Sequence, residues 1–190
     1  KTGYDSFISN QMLRAKQATG SIFVENINSI SEIFSALRSY SKGAVVLHML
    51  RGITGDSLFF KILREYLTDP LISYGAADTE DFQRSAEKIY GKTLDYFFKQ
   101  WIYGVNYPRY NVNWDYKNID TEVYRVDITV EQEVNASPIF FNMPVQIKVS
   151  TEKTDTILTF FNDQRLQNFS FTVAGKPTDF IFDPNNLILK

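Results

Sequence analysis

There is no cysteine among the 190 residues, and there is a single histidine. The first absence excludes disulfides, thiolate nucleophiles and cysteine-built zinc sites, and it leaves the redox compartment open. The second leaves no persuasive Ser-His-Asp or Cys-His arrangement and no two-histidine helix pair for a hydrolytic metal. No run of about 18 apolar residues occurs, so no segment reads as a membrane-spanning helix. A Gly-rich phosphate loop is also missing. Nor is there an excess of either charge: 20 Lys and Arg stand against 22 Asp and Glu, for a net charge of -2. That balance gives no electrostatic drive toward nucleic acid or anionic lipid. The opening Lys1-Thr2-Gly3-Tyr4-Asp5 lacks the basic-then-apolar order of a signal peptide and reads as a start inside a longer protein.

What is present supplies a core. Apolar residues make up 44% of the chain and aromatics 15%, enough for one ordinary domain or two small ones. Tyr4, Ile8, Met12 and Ala15 are spaced as one face of a helix running to about Ala18 and ended by Gly20. A loop through Asn26, Asn28 and Ser29 leads to a short helical turn at Phe34, Ala36 and Leu37. A helix is expected from Tyr40 to about Thr54, stopped by Gly55, and another beyond Asp56 or Ser57 with a stripe of Leu58, Phe59, Ile62, Leu63, Tyr66 and Leu67. Pro70 closes it. Asp78 or Thr79 starts a further helix ended by Gly91, and Thr93 starts a last one with Leu94, Phe97, Phe98 and Trp101, ended by Gly104.

At Asn106-Tyr107-Pro108 the helical period gives way to alternation. Tyr110, Val112 and Trp114 share one strand face, and Val123, Val126, Ile128 and Val130 mark a second strand. Strands at 140–149, 156–161, 169–173 and 180–182 follow, separated by Asn, Asp and Pro clusters at the spacing of an antiparallel sandwich. The class expected is α+β, with a helical domain over 1–107 and a β-sandwich over 108–190. Asn135-Ala136-Ser137 and Asn168-Phe169-Ser170 match glycosylation acceptors, a triplet that arises often by chance in a chain rich in Asn and Ser.

The most informative stretch is Ser39-Tyr40-Ser41-Lys42-Gly43-Ala44-Val45-Val46-Leu47-His48-Met49-Leu50. It reads as a turn feeding a helix that is apolar almost all round, hence buried. Lys42 and Gly43 suit neither burial nor a helix, and Gly43 costs about 1 kcal/mol against alanine there. Something is therefore expected to approach the backbone at Gly43. Tyr40 stands just ahead, where its side chain can face a cleft. A phenol stays protonated at neutral pH and can donate to a developing negative oxygen; the commoner role for a tyrosine is core packing. His48, about two turns below the helix mouth, reads as packing. Glu80 and Asp81, at a helix start, suit the macrodipole better than paired-carboxylate chemistry.

Tyr-Ser-Lys-Gly-Ala followed by Val-Leu-His-Met-Leu resembles the tyrosine segment of the M1 family of zinc aminopeptidases. A second block, Tyr90-Gly91-Lys92-Thr93-Leu94-Asp95-Tyr96-Phe97-Phe98-Lys99-Gln100-Trp101, resembles the Phe-Phe-x-Gln-Trp segment closing that family's catalytic domain, and Asp81-Phe82, Glu87 and Gly91 fit the approach to it. The resemblance covers residues from about 30 to 110. It implies the helical C-terminal half of a thermolysin-like catalytic domain, followed by the small β-domain found in many members. It also implies a catalytic Tyr40 that donates to the oxyanion formed when zinc-bound water attacks a peptide carbonyl. The zinc ligands (the His-Glu-x-x-His motif and a third ligand) and the Gly-x-Met-x-Asn substrate motif are not in this chain, so they would lie upstream. Residues 1–190 alone are then expected to bind no catalytic zinc and cleave nothing. The expected partners are a peptide substrate and the upstream part of the same chain. Two other readings stay open: a zinc-less pseudoenzyme or scaffold that kept the fold, and a non-catalytic binding module.

Overall fold

The computed structural model describes residues 2–135 and 137–190, with Thr2 given by its backbone alone. The Asn135-Ala136-Ser137 triplet thus falls partly outside the described residues. The chain forms two compact units, the first ending at Gly104 and the second running Val105–Lys190, a little before the change of pattern at 108.

The first unit is helical. α1 (Thr2–Ala15) buries Ile8, Met12 and Ala15 and ends three residues short of Ala18, while Tyr4 is left 44% exposed. The segment after the 20s loop differs from expectation. A single-turn α2 (Ile30–Ile33), capped by Ser29, is followed by a π-helical turn over Ala36–Lys42, where a short helical turn near Phe34 to Leu37 was expected. α3 (Gly43–Thr68) joins the two helices expected on either side of Gly55 into one element. Gly55 is nonetheless a break, with φ 76° and ψ 160°, a conformation open to glycine almost alone. Asp56 forms a bidentate pair with Arg51 across this break, at 2.8 and 2.7 Å.

α4 (Thr79–Tyr90) starts as its sequence says. Asp78 accepts from Asp81 N and the Asp81 carboxylate accepts from Asp78 N, a reciprocal capping box, and Gly91 ends the helix in the left-handed conformation. α5 (Asp95–Phe98) starts differently. Its cap position is Leu94, and Glu87 accepts from Leu94 N at 2.7 Å while Thr93 Oγ1 accepts from Asp95 N at 3.3 Å. A second π-helical turn, Lys99–Tyr103, continues from α5. Phe97, Phe98 and Trp101 are buried, and rings run from Tyr66 on α3 through Phe82 on α4 to Phe98 at 5.2 and 6.0 Å between centroids. Such aromatic contacts add to area burial, which for a side chain of this size is about 1.5–3 kcal/mol.

The second unit is two three-stranded antiparallel sheets, β1 (Arg109–Asp120), β2 (Val123–Glu133) and β5 (Leu166–Ala174) in the order β1-β2-β5, and β3 (Met143–Thr151), β4 (Asp155–Asn162) and β6 (Pro177–Phe182) in the order β4-β3-β6. Alternation sets their facing sides: Val126, Ile128 and Val130 from the first sheet share a core with Ile147 and Val149 from the second. β3 begins at Met143 rather than Phe140 because residues 140–142 are held by a side chain instead of a strand. Gln132 Nε2 donates to the Phe141 carbonyl and its Oε1 accepts from Phe141 N, both at 2.8 Å. Trp114 packs inward, stacked on Phe180 at 5.3 Å.

Candidate functional site

The π-helical turn owes its form to two serines and one long backbone bond. Ser35 Oγ accepts from Arg38 N at 3.3 Å, and the Ser35 carbonyl accepts from both Ser39 N at 2.9 Å and Tyr40 N at 3.3 Å. The second of these spans five residues, the widened spacing of a π turn, a feature frequent at functional sites. Ser39 Oγ donates to the Ile33 carbonyl at 2.7 Å and ties the turn back to α2. On the inner side Ser41 accepts from Arg14 Nε of α1 at 3.0 Å. Ser41 and Lys42 are consequently buried, whereas Tyr40 is 59% exposed. Among the described residues the Tyr40 hydroxyl has no hydrogen-bond partner, so it is free to donate to something outside the protein fold.

Tyr40 lines a cleft of about 590 Å³ with Gly43, Leu47 and Leu50 of α3, Phe82 of α4, and Phe97 and Phe98 of α5. The walls are mostly apolar, with Ser39, Asp78 and Thr79 adding polar groups. Ile102 of the second π-helical turn closes one side, and Tyr103 beside it donates to Glu80 Oε1 at 2.5 Å. That bond holds the Glu80 carboxyl below its usual range. Both π-helical turns therefore border the same cleft, which sequence reasoning did not foresee. The only local signal was the pair of Ser residues flanking Arg38, since π widening follows from side-chain ties and not from helix period.

The expectations for Lys42 and Leu47 need correction. A Cβ at Gly43 would meet nothing nearer than the Arg38 carbonyl oxygen at 4.0 Å, and Gly43 lines the cleft. Leu47 is 39% exposed, and α3 is buried on one side only, through Val45, Val46, Met49 and Leu50. Lys42 is fully buried, contrary to its type; burial lowers its ammonium to about 8.

His48 lies buried in α3 with Nδ1 3.0 Å from the Tyr4 hydroxyl. Among the described residues no group of three His, Cys, Asp or Glu side chains is placed to hold a metal ion. The donor set of a zinc peptidase therefore does not fit on these residues. No described helix is long and apolar enough to cross a membrane.

The sequence model of the peptidase family M1 domain matches residues 4–101, just over half of the chain. The leucyl aminopeptidase of Saccharolobus solfataricus is 27% identical over 97% of this chain and 24% of its own length. The probable aminopeptidase 2 of Sulfurisphaera tokodaii is 29% identical over 75% of this chain and 21% of its own length. The chain thus spans about a quarter or less of these relatives. Among solved structures, Legionella pneumophila aminopeptidase A in complex with aspartic acid superposes with a TM-score of 0.60 over 78% of this chain and 17% of its own, at 22% identity. That likeness shows the fold, a mixed α+β arrangement of helices and antiparallel sheets. On the family match, carried by the segment that includes both π-helical turns up to Trp101, this chain belongs to peptidase family M1.

Proposed function

We propose that this chain is one part of an M1-type zinc aminopeptidase that removes N-terminal residues from peptides, and that Tyr40 is its oxyanion donor. One observation carries the assignment: the Tyr40 phenol stands exposed and without a protein partner on the border of a mostly apolar cleft, on a turn whose next two residues are buried. A hydroxyl so placed can donate to the oxygen of a peptide carbonyl as that oxygen gains charge. Because the turn is fixed beforehand, little reorganisation accompanies the donation. The metal ligands, the general base and the group that holds the peptide amino terminus come from the rest of the protein, which is thus this chain's main partner beside the peptide. Residues 1–190 alone are expected to bind no stoichiometric zinc and to cleave no peptide.

The test is Tyr40→Phe in the full-length protein. Turnover of an amino-acid anilide is expected to fall by about 10²–10³ with zinc content unchanged. Wild-type turnover in that variant would return Tyr40 to a packing role.

A further inference from the structure

The buried cation behind Tyr40 has no part in the reading above. Lys42 is 1% exposed, and lysines are almost never fully buried unless paired with an acid. Here no carboxylate among the described residues meets it, and Nζ donates to the Gly20 carbonyl oxygen at 3.3 Å. Arg38, nearby, pairs with Glu32 at 3.8 Å. Arg14 of α1 bonds Ser41, and Arg38 lies beside Gly20, its Nη1 3.4 Å from where a Cβ would stand. An apolar side chain of similar volume would fill the space with no charge to desolvate. Packing alone therefore does not account for an ammonium at this position.

Its one bond is informative. Gly20 has φ 84°, and this left-handed turn presents its carbonyl to Lys42. Two residues on, Ile22 N and Phe23 N both donate to the Ile102 carbonyl, at 3.0 and 3.1 Å, within the second π-helical turn. Ile22 and Ile102 line the Tyr40 cleft. One ammonium thus joins the turn that carries Tyr40 to a loop already pinned to the second π-helical turn, which lines the same cleft.

We propose that Lys42 is a positioning residue for Tyr40, its ammonium clipping the π-helical turn to the Gly20 carbonyl and so fixing where the phenol stands over the cleft. This rests on the oxyanion role of Tyr40. The experiment compares Lys42→Met, Tyr40→Phe and the double variant in the full-length protein with an amino-acid anilide substrate. Lys42→Met should lower kcat about 10–100-fold, the effect of roughly 1 Å of misplacement, and leave KM within about twofold. Its Tm should equal or exceed that of the wild type, because a buried charge has been replaced by methionine. In the Tyr40→Phe background the same change should cost nothing further. Wild-type kcat in Lys42→Met overturns the proposal, as does an undiminished loss in the Tyr40→Phe background or a loss matched by a fall in Tm. If Tyr40→Phe alone keeps full turnover, the oxyanion reading has failed, and a slow Lys42→Met then acts on something other than Tyr40. Should Lys42→Met fail to fold, Lys42→Leu, apolar and without a donor, decides by the same criteria.

Discussion

The two units solve the problem of a stable interior in different ways. In the β unit, alternation along β2 and β3 delivers a row of branched side chains to a shared core edged by aromatics of both sheets, and the buried amides Gln132 and Asn162 belong to a hydrogen-bonded network. Gln132 serves both backbone groups of Phe141 and donates to Asn162 Oδ1 at 2.5 Å, while Asn162 donates onward to Gln167 at 2.7 Å. The helical unit buries Phe97, Phe98 and Trp101 beside Met49, Leu50 and Ile62, keeps a mostly apolar cleft open, and buries an ammonium with one long bond. It also leaves Phe34, Phe60, Leu67, Leu71 and Tyr74 more than half exposed. The regular unit has no candidate chemistry, and the irregular unit has all of it. Irregular backbone is where a side chain can be held firmly and still face outward.

Breaking each unit at its own anchor gives the largest effects. Trp101→Ala should cost the helical unit about 3–5 kcal/mol, the range for deleting a buried aromatic, read as lost hydrogen-exchange protection along α3 and α4. In the β unit Gln132→Leu should cost about 2–3 kcal/mol, since it removes the amide that bonds Phe141 and Asn162 in the interior. Denaturant midpoints check this, and a cost well under 1 kcal/mol would mean the network is replaced by water.

A smaller effect separates the units by pH. The folded pKa of Lys42, about 8, lies below that of the unfolded chain, so between pH 8 and 10.5 the unfolded state binds more protons. Stability should therefore rise with pH across that window relative to Lys42→Met, in which this slope is absent. Arg14 and Arg38 stay charged throughout and do not cancel it. A Tm difference that is flat from pH 7 to 10 would contradict the burial of the ammonium. The smallest effect expected is for Asp78→Ala, about 1 kcal/mol from the lost N-cap of α4, measured by thermal melting.

Much of this molecule is legible in the amino-acid order because local physics decides it. Asp78, Asp81 and Gly91 bound α4 through bonds reaching only three or four residues, and the two-residue alternation from Tyr110 to Val130 assigns inside and outside without knowledge of the partner strand. Tyr40 was singled out by a local run of residues and does line the cleft. What the chain alone could not decide depends on distant groups. The capping of α5 by Glu87 and the burial of Lys42 against Gly20 each follow from a side chain meeting a backbone amide or carbonyl beyond its own helical turn. Lysine has a strong preference for water, and only the closed packing of α1, the 20s loop and the π-helical turn overrides it. The sequence thus determined the elements and the tyrosine; the tertiary structure decided how that tyrosine is held, because position is set by contacts that local pattern does not encode.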